Sequence, residues 1–185
     1  MSYMTFPIGD PNSKPFENSP FNYLGKECSA FKKFDNTHFD NVNITYVYVG
    51  LRKIGGSNFF SNVFTLGANH WSVILELSNG KYACVQLDTT GKIDLRLRNS
   101  LREASLLTWG RSDTVRLSKY GSCNYNYNKF VESLYGYHWY ILGVNDCQNF
   151  ARRVVDELTG KWVGVYPIED GPEYEEDKDS SCFIF

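Results

Sequence analysis

The chain has 185 residues, of which 42% are apolar and 16% aromatic, a composition that favours one folded domain over a disordered chain. A formal net charge of -2 offers no basic surface for nucleic acid, and five irregularly spaced cysteines without a CxxC pair argue against a disulfide framework or a zinc ribbon. We find no signal peptide and no apolar run of roughly 20 residues that would span a bilayer. We therefore expect a cytoplasmic protein with reduced cysteines, no metal and no cofactor.

The beginning of the chain predicts an irregular arm followed by a strand. Residues 1–35 are rich in proline, asparagine and glycine, and their prolines recur too closely for a helix. Residues 43–51 are mostly β-branched or aromatic, which is typical of a strand. A glycine pair at 55–56 then opens a loop that runs to about residue 66.

Two strands are predicted on either side of a turn at residues 78–80. Apolar and polar side chains alternate over residues 70–77 and again over residues 81–88. If the turn has three residues, with Gly80 in the left-handed conformation, the apolar side chains of both strands share one face. A two-residue turn would shift the pairing by one residue and scramble that face. Burial therefore favours the three-residue turn.

This register determines the neighbours of His70. His70 lies opposite Asp88, and Gln86 is its diagonal neighbour on the same face. Either side chain can hold one imidazole nitrogen while the other nitrogen acts as a base. The remaining histidines are weaker candidates, because His38 lies in a polar stretch and His138 lies among aromatic residues.

Shorter elements are predicted between this hairpin and the last helix. A strand is expected over residues 93–97, a helical or irregular piece over 100–108 and another strand over 114–118. The stretch 120–140 contains six tyrosines and a short helix over 129–135. Together the elements predict an α+β fold, in which an antiparallel sheet packs against helices.

The clearest helix begins near Cys147 and ends before Gly160. Asn145 or Asp146 can cap its start, and apolar residues recur with helical spacing from Cys147 to Leu158. Cys147 lies in the first turn, where unpaired backbone N–H groups favour a thiolate, so we expect its pKa to be lowered despite the neighbouring charge of Asp146. The same N–H groups can stabilise an oxyanion. The alternative is that Cys147 is a small buried apolar residue.

The His70 strand and the Cys147 helix together resemble the permuted papain-like superfamily, in which the histidine strand precedes the cysteine helix. The matching motifs are His70-Trp71, Tyr140-Ile141-Leu142 and Asn145-x-Cys147-x-x-Phe150. Members include lecithin retinol acyltransferase-like proteins and deubiquitinase-like and deSUMOylase-like peptidases. The resemblance implies a permuted papain-like fold with Cys147 as nucleophile and His70 as base. It also implies a polar orienting residue, Gln86 or Asp88, on the following strand.

The same resemblance implies cleavage or transfer of an acyl group through a thioester, on a protein or acyl-lipid substrate. Acyltransferase-like members usually have Asn-Cys-Glu-His-Phe, whereas this chain reads Asn145-Asp146-Cys147-Gln148-Asn149-Phe150. The third residue of the family site is usually a second histidine, whereas here it is Gln86 or Asp88. Both departures weaken the transfer of lipid-acyl specificity to this chain and leave the cysteine chemistry unchanged. The alternative function is a catalytically inactive papain-like binding module.

The C-terminal region predicts an acidic tail. Residues 169–179 contain seven acids and one lysine, a net charge of -6, which is typical of a solvated segment. We therefore divide the chain into an irregular arm (1–35), a papain-like catalytic domain (36–167) and a flexible acidic tail (168–185). The last four residues, from Cys182 to Phe185, fit the prenylation pattern with a terminal residue that favours geranylgeranyl. Cys182 would then bring the protein to a membrane surface.

Overall fold

The computed structural model describes residues 33–35, 37–54, 69–87, 92–110, 112–134, 146–164 and 167–176. Within these ranges the chain forms one sheet and three helices. The strands are β1 (Lys33–Phe34), β2 (Asn43–Lys53), β3 (Asn69–Leu77), β4 (Tyr82–Leu87), β5 (Ile93–Arg98), β6 (Thr114–Asn126) and β7 (Glu173–Glu175). The helices are α1 (Leu101–Ser105), α2 (Tyr127–Leu134) and α3 (Cys147–Thr159).

The sheet has the strand order β1-β5-β4-β3-β2-β6-β7. Every neighbouring pair is antiparallel except β1 and β5, which are parallel. The predicted α+β class with an antiparallel sheet is therefore confirmed. β1 lies within residues 1–35, so the prediction of an irregular arm is wrong for these two residues. Residues 1–32 lie outside the described ranges.

The β3–β4 hairpin has the register that the apolar pattern predicts. Leu75 pairs with Ala83, and the Leu77 N–H donates to the Lys81 carbonyl at 2.9 Å. Gly80 has a φ of 80°, the left-handed conformation that a three-residue turn requires. The three-residue turn is therefore confirmed, and with it the assignment of each side chain to a face.

The two faces of the sheet carry separate apolar clusters. One face packs against α2 and α3 and holds the larger core. The side chains that β3 and β4 contribute to this core are Trp71, Val73, Leu75, Leu77, Ala83, Val85 and Leu87. The other face, with Ile74 and Cys84, packs against α1. His70 alternates with Trp71 along β3, so its side chain lies on the α1 face.

Strand β6 is longer than the predicted strand over residues 114–118. It pairs with β2 up to Asn126, and the pairing continues past two shifts of register along β2. Part of the tyrosine-rich stretch is therefore strand, and α2 begins at Tyr127. The rest of that stretch, residues 135–140, lies outside the described ranges.

The acidic segment belongs to the sheet. β7 pairs with β6, and Arg116 on β6 forms ion pairs with Glu169 at 2.7 Å and Glu173 at 2.6 Å. The Lys119 N–H donates to the Asp170 carboxylate at 2.8 Å. The prediction of a flexible tail from residue 168 is therefore wrong up to residue 176, because basic and N–H groups of β6 face these acids. None of the helices in the described ranges is long and apolar enough to cross a membrane.

Candidate active site

The imidazole of His70 is held by Gln86 on the neighbouring strand. Both side chains are buried, and His70 Nε2 lies 3.1 Å from Gln86 Oε1. The same Oε1 accepts the Trp109 N–H at 3.1 Å, while Gln86 Nε2 donates to Asp94 Oδ2 at 3.0 Å and to the Leu107 carbonyl at 2.9 Å. These partners fix which end of the amide is oxygen.

The orientation of Gln86 determines the tautomer of His70. Because Gln86 Oε1 can only accept a hydrogen bond, His70 Nε2 carries a proton and donates it. In the neutral imidazole the lone pair is then on Nδ1, which is the nitrogen that can take a proton from a nucleophile.

Of the two predicted orienting residues, the structure describes Gln86 in contact with His70. Gln86 pairs across the sheet with Asp94 and is the diagonal neighbour of His70, as the hairpin register requires. Asp88 lies outside the described residues. The alternation of polar and apolar residues had placed Gln86 beside His70 as one of two alternatives, and the structure describes this one in contact with the imidazole.

Asp94 and Arg96 on β5 form a second layer around Gln86. The Asp94 carboxylate is buried, and Arg96 donates to it twice, from Nε at 2.8 Å and from Nη2 at 2.7 Å. This two-point ion pair provides charge compensation for a carboxylate that water does not reach. The sequence analysis missed Asp94. An acid between two apolar residues of a strand, Ile93 and Leu95, was the available signal.

Residues after α1 cover His70 on its own face of the sheet. The Trp109 ring centroid lies 6.0 Å from that of His70, with 34° between the ring planes. Thr108 Oγ1 lies 2.6 Å from Ser72 Oγ, which ties this segment to β3. Gly50 permits the approach, because a Cβ there would lie 2.6 Å from the Ser72 hydroxyl and 2.8 Å from that of Thr108.

Cys147 is the first residue of α3. Its helix is capped by the Asp146 side chain, which accepts the Asn149 N–H at 2.9 Å, and ends at Gly160 with a φ of 66°. Both boundaries agree with the sequence prediction. The cap places the first-turn N–H groups and the thiol at one end of the helix.

The Cys147 thiol lies beside the backbone of Trp71, the residue after His70 in β3. Burial raises the thiol pKa from its usual 9.0 to about 11, although a hydrogen bond with the backbone of Trp71 lowers it in part. The charge of Asp146 raises the pKa further, and backbone groups of Gln148 and Cys147 lower it. The expectation of a lowered pKa is therefore wrong, because the loss of hydration outweighs the helix N-terminus.

Helix α3 is fixed to β3 at the level of the candidate site. Phe150 and Ala151 belong to the same core as Trp71. The Arg152 guanidinium lies 4.8 Å from the centroid of the Trp71 ring, a cation–π contact, and its Nη1 donates to Asn149 Oδ1 at 3.1 Å. The helix and the histidine strand are thus packed together where Cys147 begins the helix.

The other described thiols have different surroundings. Burial raises the pKa of Cys84 to about 12, and it also raises the pKa of Cys123, whose Sγ lies 3.4 Å from the Ile44 carbonyl oxygen. Cys182, the predicted prenylation site, lies outside the described residues. Across the described ranges, no three His, Cys, Asp or Glu side chains are grouped as metal ligands.

Comparison with known proteins adds no family to these observations. No protein-family model, curated protein or solved structure matches the chain. The structure joins His70, Gln86 and Asp94 in one hydrogen-bonded network on the α1 face of the sheet. Cys147 begins α3, which packs on the other face, and its thiol meets this strand at the backbone of Trp71, the residue after His70. These two parts together are the candidate active site.

Proposed function

We propose that this chain is a cysteine-dependent acyl-transfer enzyme with a permuted papain-like fold, acting as a thiol hydrolase, peptidase or acyltransferase. Cys147 is the nucleophile, His70 the base and Gln86 the residue that orients the base. The observation that carries the proposal is the fixed hydrogen bond from His70 Nε2 to Gln86 Oε1, which leaves the basic lone pair on Nδ1. It occurs next to Trp71, whose backbone contacts the Cys147 thiol.

The reaction begins with transfer of the Cys147 proton to His70 Nδ1. The thiolate attacks a substrate carbonyl, a C–S bond forms and negative charge moves to the carbonyl oxygen. Backbone N–H groups at the start of α3 stabilise that oxyanion. The leaving group departs with the proton from His70 and leaves a thioester. Water or an amine, deprotonated by His70, then displaces Cys147 and regenerates the thiol.

The raised pKa of Cys147 is compatible with this role only if a base assists. With a pKa of about 11 the isolated thiol is protonated at neutral pH. A neighbouring imidazole can take that proton, and the resulting imidazolium stabilises the thiolate. Gln86 and Trp109 hold the imidazole network in one arrangement, which reduces the entropy lost when the reacting groups align.

The second candidate function is a catalytically inactive papain-like binding module. The specific observation in its favour is that Cys147 is only 6% exposed and has a raised pKa, as a buried structural cysteine does. In such a module the His70–Gln86 network would serve only to satisfy buried polar groups with hydrogen bonds.

Labelling with an acyloxymethyl ketone probe distinguishes the two candidates. The acyl-transfer hypothesis expects covalent labelling at Cys147 that is lost in Cys147→Ala and retained in Cys123→Ala, the matched removal of a half-buried thiol. Peptide mapping by mass spectrometry identifies the labelled residue. A folded native protein that takes no label at Cys147, or takes it no faster than at Cys123, would support the inactive module.

A further inference from the structure

A cleft of about 550 Å³ lies beside the His70 network. Its charged and aromatic lining residues are Arg52, Arg96, Trp109, Asp113 and Glu176. Trp109 belongs to both the cleft and the His70 network, because it lines the cleft and donates its backbone N–H to Gln86 Oε1. Arg96 is likewise shared, since it also binds Asp94. A molecule bound in this cleft therefore lies against the residues that hold the proposed base.

The guanidinium of Arg52 forms a buried cationic wall of the cleft. Its Nε donates to the Ser112 carbonyl at 2.6 Å, and Nη1 donates to the carbonyls of Leu106 at 3.2 Å and Thr108 at 3.0 Å. Only Nη2 binds a carboxylate in the described chain, that of Glu176 at 2.5 Å. The three carbonyls fix the guanidinium and carry no net charge, so Nη2, which binds Glu176, is the donor through which Arg52 meets an anion.

The carboxylate that binds Arg52 belongs to Glu176, a more exposed residue of the cleft. The side chain of Arg52 is 7% exposed, whereas that of Glu176 is 46% exposed. Glu176 follows β7 and is held by its own N–H, which donates to the Asp113 carbonyl at 2.9 Å. Asp113 also lines the cleft but forms no ion pair with Arg52. The buried cation thus has a partner that solvent can reach.

We propose that this cleft binds a carboxylate group of the acyl substrate or product through Arg52 Nη2, and that Glu176 competes for the same donor. A carboxylate matches the site because the chain's own carboxylate already occupies it with charge-assisted geometry. The role in a reaction rests on the proposed function, whereas binding in the cleft does not depend on Cys147.

The test is a titration of the full chain with N-acetylglycine, and with uncharged N-acetylglycinamide as the paired probe. Binding is followed by the chemical shift of the Trp109 indole N–H, assigned with Trp109→Phe. Glu176→Gln should bind N-acetylglycine about five-fold more tightly at low salt, because it removes the competing charge. Asp113→Asn is the matched control. It removes the same charge from the same cleft without touching Arg52, and we expect a change of less than about two-fold.

Three outcomes would overturn the inference. These are equal binding of the amide and the acid, equal effects of the two variants, and a Trp109 resonance that does not move. The titration is repeated on Cys147→Ala, where binding should be unchanged. If Cys147 fails to label with the acyl probe while Glu176→Gln still strengthens binding, the proposed reaction is wrong and the carboxylate site remains. If Cys147 is labelled and the titration fails, the carboxylate site is wrong and the proposed reaction remains.

Discussion

Replacing His70 with glutamine tests whether this imidazole activates Cys147. A glutamine at this position can still donate from its amide nitrogen to Gln86 Oε1, so the buried hydrogen bond is preserved. It has no basic nitrogen. The variant therefore separates the base function of His70 from its structural role.

The magnitude follows from the pKa of Cys147. Burial raises that pKa from 9.0 to about 11, which lowers the thiolate fraction at neutral pH about 100-fold relative to an ordinary cysteine. This corresponds to about 2.7 kcal/mol against ionisation. In His70→Gln nothing offsets this cost. In the native protein the imidazole accepts the proton, so we expect at least a ~100-fold faster reaction of Cys147 at pH 7.

The assay measures the rate of iodoacetamide alkylation at Cys147 as a function of pH, with peptide mapping to separate the cysteines. His70→Gln should show a rate that rises until the pH approaches about 11. The native protein should already react fast at neutral pH, because transfer of the proton to His70 replaces ionisation of the thiol, whose pKa beside a neutral imidazole is about 11. Cys123, whose pKa is also raised by burial, serves as the internal control and should react equally in both proteins. Superimposable profiles for Cys147 would refute the assignment of His70 as its base.

Two further predictions concern the buried polar groups. Gln86→Leu should lower the rate of probe labelling at Cys147 on the order of 100-fold and destabilise the fold by ~3 kcal/mol, because it removes the Gln86 partners of the Trp109 backbone N–H and the Leu107 carbonyl. Gln148→Leu is the same substitution beside Cys147 and should have neither effect. Equal labelling rates and equal denaturant midpoints for the two variants would contradict this prediction. The unfolding free energy should fall as the pH rises from 9.0 towards about 12, because the folded pKa of Cys84 lies above its unfolded value and the protonated thiol stabilises the fold below that range. Chemical denaturation of Cys84→Ala should show a smaller fall, and an unchanged slope would assign the effect to other groups.

The parts of the fold that follow from local periodicity were predictable. The hairpin register came from the need to bury one apolar face, and the boundaries of α3 came from a cap at Asp146 and a glycine at position 160. Gln86 followed from the same register, because diagonal neighbours on a strand pair are determined once the turn is known. These are short-range patterns, which a single sequence contains.

The residues that complete the site could not be found in this way. Asp94 and Trp109 reach Gln86 from β5 and from the segment after α1. No periodicity links those segments to Gln86, since their approach depends on how the sheet packs. The pKa of Cys147 was also predicted with the wrong sign. A helix N-terminus is visible in the sequence, but the depth at which it is buried is not.

The acidic segment shows why charge composition alone gives a wrong prediction for the C-terminal region. Seven acids among residues 169–179 predict solvation when they are counted by themselves. Their effect depends on what lies across from them, and Arg116 and Arg52 provide the opposite charge from β6 and β2. The two arginines differ in one respect that matters for function. Arg116 is half-exposed, so its ion pairs contribute little to stability, whereas Arg52 is buried and its charge needs a partner. Glu176 supplies that partner in this structure, and a substrate carboxylate that displaces Glu176 would compensate the buried charge of Arg52 in the same way.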